Sequence, residues 1–225
     1  MRRQGHAPGP SGARRGRSQG HLSRDLEALK RIGVLISGRG SNLGALIADQ
    51  ANAPYRIVSV ISNIEGAGGL ARAAEAGIAT KVIPHKGKTR EAFDAELDAA
   101  LRAADVEIVC LAGFMRILSD GFTRAWEGRL INIHPSLLPA YKGTHVHERV
   151  IEARESQSGA SVHFVVPELD AGPVIAQARV PVHADDTPDA LAARVLDVEH
   201  KLYPAALRLL ADGKVKLEKG LAVFG

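Results

Sequence analysis

Asn132-Ile133-His134-Pro135 closes an apolar run that opens at Arg129. In an extended chain, residues two apart point the same way, so Asn132 and His134 present an amide and an imidazole to one cleft. An amide donates to an oxygen acquiring negative charge. An imidazole, with an unperturbed pKa of about 6.5, shuttles a proton near neutral pH. A carboxylate able to orient such a histidine lies in Glu168-Leu169-Asp170-Ala171-Gly172-Pro173, where Gly172-Pro173 constrains the turn around Asp170. Each residue alone has a plain alternative: Asn132 a turn former, His134 a satisfied structural histidine, Asp170 a turn residue. Together at neighbouring strand ends they favour proton transfer and oxyanion stabilisation.

A second constellation is Ser37-Gly38-Arg39-Gly40-Ser41-Asn42, between an apolar run and a helical pattern. Two glycines let the backbone turn tightly, and the helix start offers free N–H groups and the positive end of its dipole. Gly40, Ser41 and Asn42 therefore suit a phosphate. The alternative is a tight turn with Ser41 as helix cap. A dinucleotide fits less well: Leu43 stands where the third glycine of G-x-G-x-x-G belongs, and Ser62-Asn63 where a ribose-binding acid is expected.

Other candidates carry less. His145-x-His147 suits a metal only if extended, and the pattern opens a helix there, where i and i+2 diverge. No cysteine cluster supports zinc, and no metal is expected. Ser161 and His163 alternate on one strand and face either the cleft or the interior. Glu199-His200 reads as a solvated pair on the last helix. Cys110, the single cysteine, sits in an apolar run and reads as a small buried residue.

The elements that must position these residues alternate. Strands are expected at 31–37, 55–62, 79–84, 106–112 and 129–133, and helices at 41–52, 67–76 and 89–104, the last capped by Thr89. Such alternation implies right-handed βαβ crossovers. Two further strands, 161–166 and 174–182, have only a loop between them and read as antiparallel additions at one edge. A final helix spans 187–210, with Thr187 as cap and a kink or break expected at Pro204. The fold class is α/β: a single three-layer α-β-α domain with a mostly parallel twisted sheet. Open sheets of this kind bind ligands outside the carboxyl ends of their strands.

The net charge of +4 belongs to one end of the chain. Residues 1–31 hold eight Lys/Arg and two acids; the remainder holds 21 basic and 23 acidic residues. The body therefore lacks the positive bias of a nucleic-acid-binding domain, and no nucleic-acid partner is expected. Residues 1–30 read as a basic extension, its first 24 residues too poor in large apolar side chains to offset ordering entropy. It has no apolar h-region and is no secretory signal. No apolar stretch is long enough to cross a bilayer, so no membrane partner is expected.

Five blocks resemble one family. They are Val34-Leu35-Ile36-Ser37-Gly38-Arg39-Gly40-Ser41-Asn42, Leu111-Ala112-Gly113-Phe114-Met115-Arg116-Ile117-Leu118, residues 132–139, Ser161-Val162-His163-Phe164-Val165, and residues 168–173. In this order they resemble the phosphoribosylglycinamide formyltransferases over residues 31–213. The resemblance implies the formyltransferase fold over residues 31–225. It also implies formyl transfer from 10-formyltetrahydrofolate, as co-substrate, to the amine of glycinamide ribonucleotide in cytoplasmic purine biosynthesis, without metal or covalent enzyme intermediate. It assigns catalysis to Asn132, His134 and Asp170, phosphate binding to Gly40, Ser41 and Asn42, and the ribose hydroxyls to Glu199. Arg90, Met115, Arg116, Ile117 and Leu118 fall to the folate, together with the 166–170 loop. Residues 140–143 receive no role, and monomer and homodimer both stay open.

Three rivals remain. A methionyl-tRNA formyltransferase is expected to carry a further C-terminal domain and a basic tRNA surface. A formyltetrahydrofolate hydrolase is expected to carry a folded regulatory domain in front. A nucleotide-binding module with a nucleic-acid-gripping tail leaves Asn132, His134 and Asp170 unexplained.

Overall fold

The computed structural model describes residues 29–225; the expected basic extension lies outside them apart from its last two residues. Seven strands form one sheet: β1 (Lys30–Ile36), β2 (Tyr55–Ser62), β3 (Thr80–Val82), β4 (Ile108–Leu111), β5 (Leu130–His134), β6 (Gln157–Phe164) and β7 (Val174–Pro181). Their order is β3-β2-β1-β4-β5-β6-β7. The first five are parallel, and β6 and β7 extend the β5 edge antiparallel. The order reverses between β1 and β4, and ligands of open α/β sheets gather at such a switch point.

Alternation within each strand feeds two cores. From β1, Ile32, Val34 and Ile36 pack with Leu43 and Leu46 of α1 (Ser41–Asp49), Ala73 of α2 (Gly68–Glu75), and Tyr203 and Leu207 of α6 (Pro188–Ala211). Leu35 faces the other way, towards Phe93, Leu97 and Leu101 of α3 (Arg90–Ala103) and Phe122 of α4 (Asp120–Ala125). A smaller cluster joins Val146 and Val150 of α5 (Val146–Glu152) to Ala160, Val180 and Val195. The three layers are those expected. Thr89 and Thr187 cap as expected, each accepting an N–H three residues on.

The last helix runs unbroken from Pro188 to Ala211, so no break falls at Pro204. Proline denies the helix one donor; Pro204 is buried, and its neighbours Tyr203, Ala206 and Leu207 pack in the sheet-facing core. Arg208 adds a two-pronged ion pair to Asp49 that ties α6 to α1. The Tyr203 hydroxyl donates to the Leu111 carbonyl at 2.9 Å and lies 3.3 Å from that of Ile131. Tyr203→Phe leaves those carbonyls short of a donor and is expected to lower unfolding stability by about 1–2 kcal/mol, read from urea denaturation. Beyond α6, β8 (Val215–Glu218) and β9 (Leu221–Phe224) form a hairpin. Lys219 and Gly220 both have positive φ there, as its tight turn requires.

Candidate active site

β5 carries the pair. Asn132 lies beside Leu111 of β4 and His163 of β6, and His134 beside Ser161. The turn that follows hangs on the buried Ser161 hydroxyl, which donates to the Ser136 carbonyl at 2.6 Å and accepts the Leu138 N–H at 3.0 Å. Gln177 donates to the Leu138 carbonyl as well. Residues 135–139 thus form a braced shelf under the histidine.

Asp170 reaches His134 by an indirect route. Because β6 is antiparallel, its end at Phe164 lies beside Ile131, away from His134. The connection must double back, and Gly172 lets it do so: a Cβ there would run into the Phe164 carbonyl. Asp170 has φ +47°, a conformation that aspartate adopts more readily than most residues. Its Oδ2 lies 3.4 Å from His134 Nδ1 and accepts the Gly143 N–H at 2.9 Å. His134, 5% exposed, has Nε2 2.9 Å from the Tyr141 carbonyl. Both ring nitrogens therefore face acceptors, and only the doubly protonated ring donates to both.

His163 has the opposite character. Its Nδ1 lies 2.8 Å from the Phe164 carbonyl and its Nε2 3.3 Å from Asn132 Nδ2. The tautomer that satisfies both carries hydrogen on Nδ1 and accepts from the Asn132 amide at Nε2. Burial lowers its pKa, against the Phe164 carbonyl and Asp170, which raise it. A neutral His163 holds the Asn132 amide by one hydrogen and leaves the other for a ligand.

The phosphate loop has its own logic. Gly40, not Ser41, takes the cap position, with φ +69° and no side-chain cap. A Cβ at Gly40 would come within 2.7 Å of Gly69 Cα, so the close approach to α2 demands glycine. The first helical bond runs from the Gly44 N–H to the Gly40 carbonyl, so the N–H groups of residues 41–43 precede the ladder. No acid stands in the first turn to occupy them. Asn42 turns its amide inward and donates to Glu199 Oε2 at 2.8 Å, while its own Oδ1 is buried without a partner. Glu199 is 7% exposed, and burial raises its pKa against the Asn42 bond that lowers it.

Across β4, residues 113–118 form a loop beside α3. The Arg116 guanidinium stacks 4.8 Å from the Phe93 ring centre, and Phe93 stacks on Phe114. Met115 and Ile117 stand exposed, at 74% and 56%, whereas Leu118 packs into the α3 core. Arg90 is exposed at the first position of α3, one turn from Phe93.

A formyl transferase family model matches residues 30–207. The chain belongs to the formyl transferase family. It is 51% identical over 191 residues to the cattle (Bos taurus) trifunctional purine biosynthetic protein adenosine-3, a match covering 83% of this chain and 19% of that protein. The chain thus spans about a fifth of that relative's length. It is 49% identical over 194 residues to the Escherichia coli phosphoribosylglycinamide formyltransferase, covering 85% of this chain and 92% of that enzyme. Among solved structures, the phosphoribosylglycinamide formyltransferase of Coxiella burnetii superposes with a TM-score of 0.84 at 43% identity, covering 87% of this chain and 93% of that one.

Within this family fold, Asn132, His134 and Asp170 meet in one place, and Asn42 meets Glu199 in another. Arg116 and Leu118 turn their side chains to protein neighbours, leaving Met115, Ile117 and Arg90 as the outward-facing members of their group. Residues 140–143, given no role from the sequence, contribute the Tyr141 carbonyl and the Gly143 N–H to His134 and Asp170. Backbone groups leave no side-chain signature; the glycine at 143, with φ +80°, was the available signal. His145 is the cap residue ahead of α5, and His147, in the first turn of α5, is half-buried, so the pair does not act as an extended chelate. Cys110 is fully buried, and burial pushes its thiol up to about 12, which makes it an inert core residue. Among the described residues, no helix is long and apolar enough to cross a membrane.

Proposed function

We propose that this chain transfers the formyl group of 10-formyltetrahydrofolate to the amine of glycinamide ribonucleotide. One observation carries the reading: His134 is held between the Asp170 carboxylate and the Tyr141 carbonyl, beside an Asn132 amide steadied by His163. Near-complete coverage of the Escherichia coli enzyme at 49% identity supports the choice of acceptor.

The chemistry follows from the donors. The acceptor amine attacks the formyl carbon and forms a C–N bond, and the carbonyl oxygen becomes an oxyanion. Asn132 Nδ2 donates to that oxygen, and His134 joins it when its Nε2–H exchanges the Tyr141 carbonyl for the oxyanion, in a buried site where such bonds are strongest. The Asp170 carboxylate, 3.4 Å from Nδ1, fixes the orientation of the ring. The bond from carbon to the folate N10 then breaks, and the proton lost by the attacking amine ends on N10, so the enzyme returns to its starting state. Holding two reactants together supplies a large further share, since effective molarities reach about 10⁵ M or more.

The acceptor's phosphate lies on the N–H groups at Gly40, Ser41 and Asn42, and its ribose hydroxyls on Glu199. The folate lies along Arg90, the 113–118 loop and the 166–170 loop, with Met115 and Ile117 as its apolar contacts. Residues 31–225 act as one catalytic domain, working in the cytoplasm as monomer or homodimer.

The test is an absorbance assay for tetrahydrofolate with three acceptors: glycinamide ribonucleotide, water alone and charged initiator tRNA. Product is expected only with the nucleotide. Turnover with water identifies a hydrolase, and turnover with tRNA a tRNA formyltransferase; either outcome sinks the reading.

A further inference from the structure

The loop leaving β4 is fastened to the loop leaving β1 through one residue, Ser37. Its N–H donates to the Gly113 carbonyl at 3.1 Å. Its hydroxyl accepts the Met115 N–H at 2.8 Å and lies 2.6 Å from Asn63 Oδ1. The Met115 N–H can only donate, so the single hydroxyl proton goes to Asn63 and the direction of the chain is fixed. Asn63 is itself buried at the end of β2. Its amide nitrogen and its carbonyl lie 3.2 Å and 3.1 Å from His85 Nδ1, beyond β3. A polar chain therefore runs across the ends of β3, β2 and β1 and finishes on the backbone of residues 113–115. It grips that loop on both sides of Phe114, next to Gly113, whose φ of +73° makes the turn.

We propose that Ser37 is a positioning residue for the formyl donor: its hydroxyl fixes the 113–118 loop in the shape that receives the folate. It does so three residues ahead of Gly40, where the acceptor's phosphate site begins, so both substrates bind against a single strand end. The proposal rests on the donor site described under the proposed function. Ser37 itself touches neither substrate in this scheme. Its effect passes through the Met115 backbone, whose exposed side chain offers the loop little packing of its own.

The experiment compares Ser37→Ala and Ser37→Thr with Ile117→Asp, in steady-state assays varying each substrate separately. Ser37→Ala strands the Met115 N–H and Asn63 Oδ1 and is expected to raise the KM for 10-formyltetrahydrofolate about tenfold. kcat and the KM for glycinamide ribonucleotide should stay within about twofold of wild type. Ser37→Thr keeps the hydroxyl and should bring the donor KM back to within about threefold. Ile117→Asp sets a carboxylate on the loop tip against the anionic folate tail and reports independently on whether the loop receives the donor. If Ile117→Asp raises the donor KM and Ser37→Ala does not, the Ser37 proposal is overturned and the donor site stands. If neither variant changes it, the donor site fails and takes the proposal with it. If Ser37→Ala raises both KM values alike and Ser37→Thr restores neither, Ser37 is merely structural and the proposal is again overturned.

Discussion

Replacing His134 by alanine is expected to lower kcat about a thousandfold, within the range general acid catalysts and oxyanion donors each supply. The loss is confined to chemistry because the ring's partners survive it. Asp170 keeps the Gly143 N–H, and the shelf at residues 135–139 keeps its bonds to Ser161 and Gln177. Both KM values should therefore change by less than about threefold, since neither the phosphate loop nor the 113–118 loop is touched. Some activity should persist, because Asn132 still donates to the oxyanion and both substrates remain juxtaposed. The check is kcat at saturating concentrations of both substrates, with far-UV circular dichroism to confirm folding. A folded variant with near wild-type turnover would remove His134 from the mechanism.

Asp170 supports His134 in a way the sequence concealed. Strand positions were readable from short apolar runs: 55–62 appears residue for residue as β2, and the Thr89 and Thr187 hydroxyls announced two helix starts. Pattern also placed 161–166 and 174–182 as an antiparallel pair. What it did not provide was the consequence, that the loop between them begins on the far side from His134 and must return past Gly172. Nor could side-chain spacing reveal the Tyr141 carbonyl and the Gly143 N–H, since every residue type offers such groups. His163 was visible as an alternating residue, but its bond to Asn132 depends on β5 and β6 being neighbours. The misread cap is physical in the same sense. Ser41 looks like a cap in one dimension, and the constraint that puts glycine at 40 comes from α2, some thirty positions downstream.

Glu199 shows most clearly how packing changes a residue's meaning, and its substitution carries the second large prediction. On sequence it is a charge on a helix. In the fold, α6 lies against the start of α1, and the carboxyl is buried on the Asn42 amide. Glu199→Gln keeps an oxygen to accept that amide but loses the charge. A neutral amide also has one acceptor oxygen where the carboxylate has two. The kcat/KM for glycinamide ribonucleotide is expected to fall about thirtyfold to a hundredfold, the worth of hydrogen bonds to a charged group. The donor KM should hold. Stability should move the other way. Burial raises the pKa of Glu199 in the folded state, so folding favours its protonated form. The contribution is present in full below the unfolded value of 4.5 and is lost as the pH rises through the raised folded value. The variant has no such titration, and its amide supplies a donor where Asn42 Oδ1 has none. Relative to wild type, its melting temperature should therefore rise as the pH climbs above 4.5. Thermal melts from pH 4 to pH 8, paired with acceptor kinetics, decide the matter. A variant less stable than wild type at neutral pH, or one with unchanged acceptor kinetics, would show that the buried carboxylate is held for the architecture and not for the ribose.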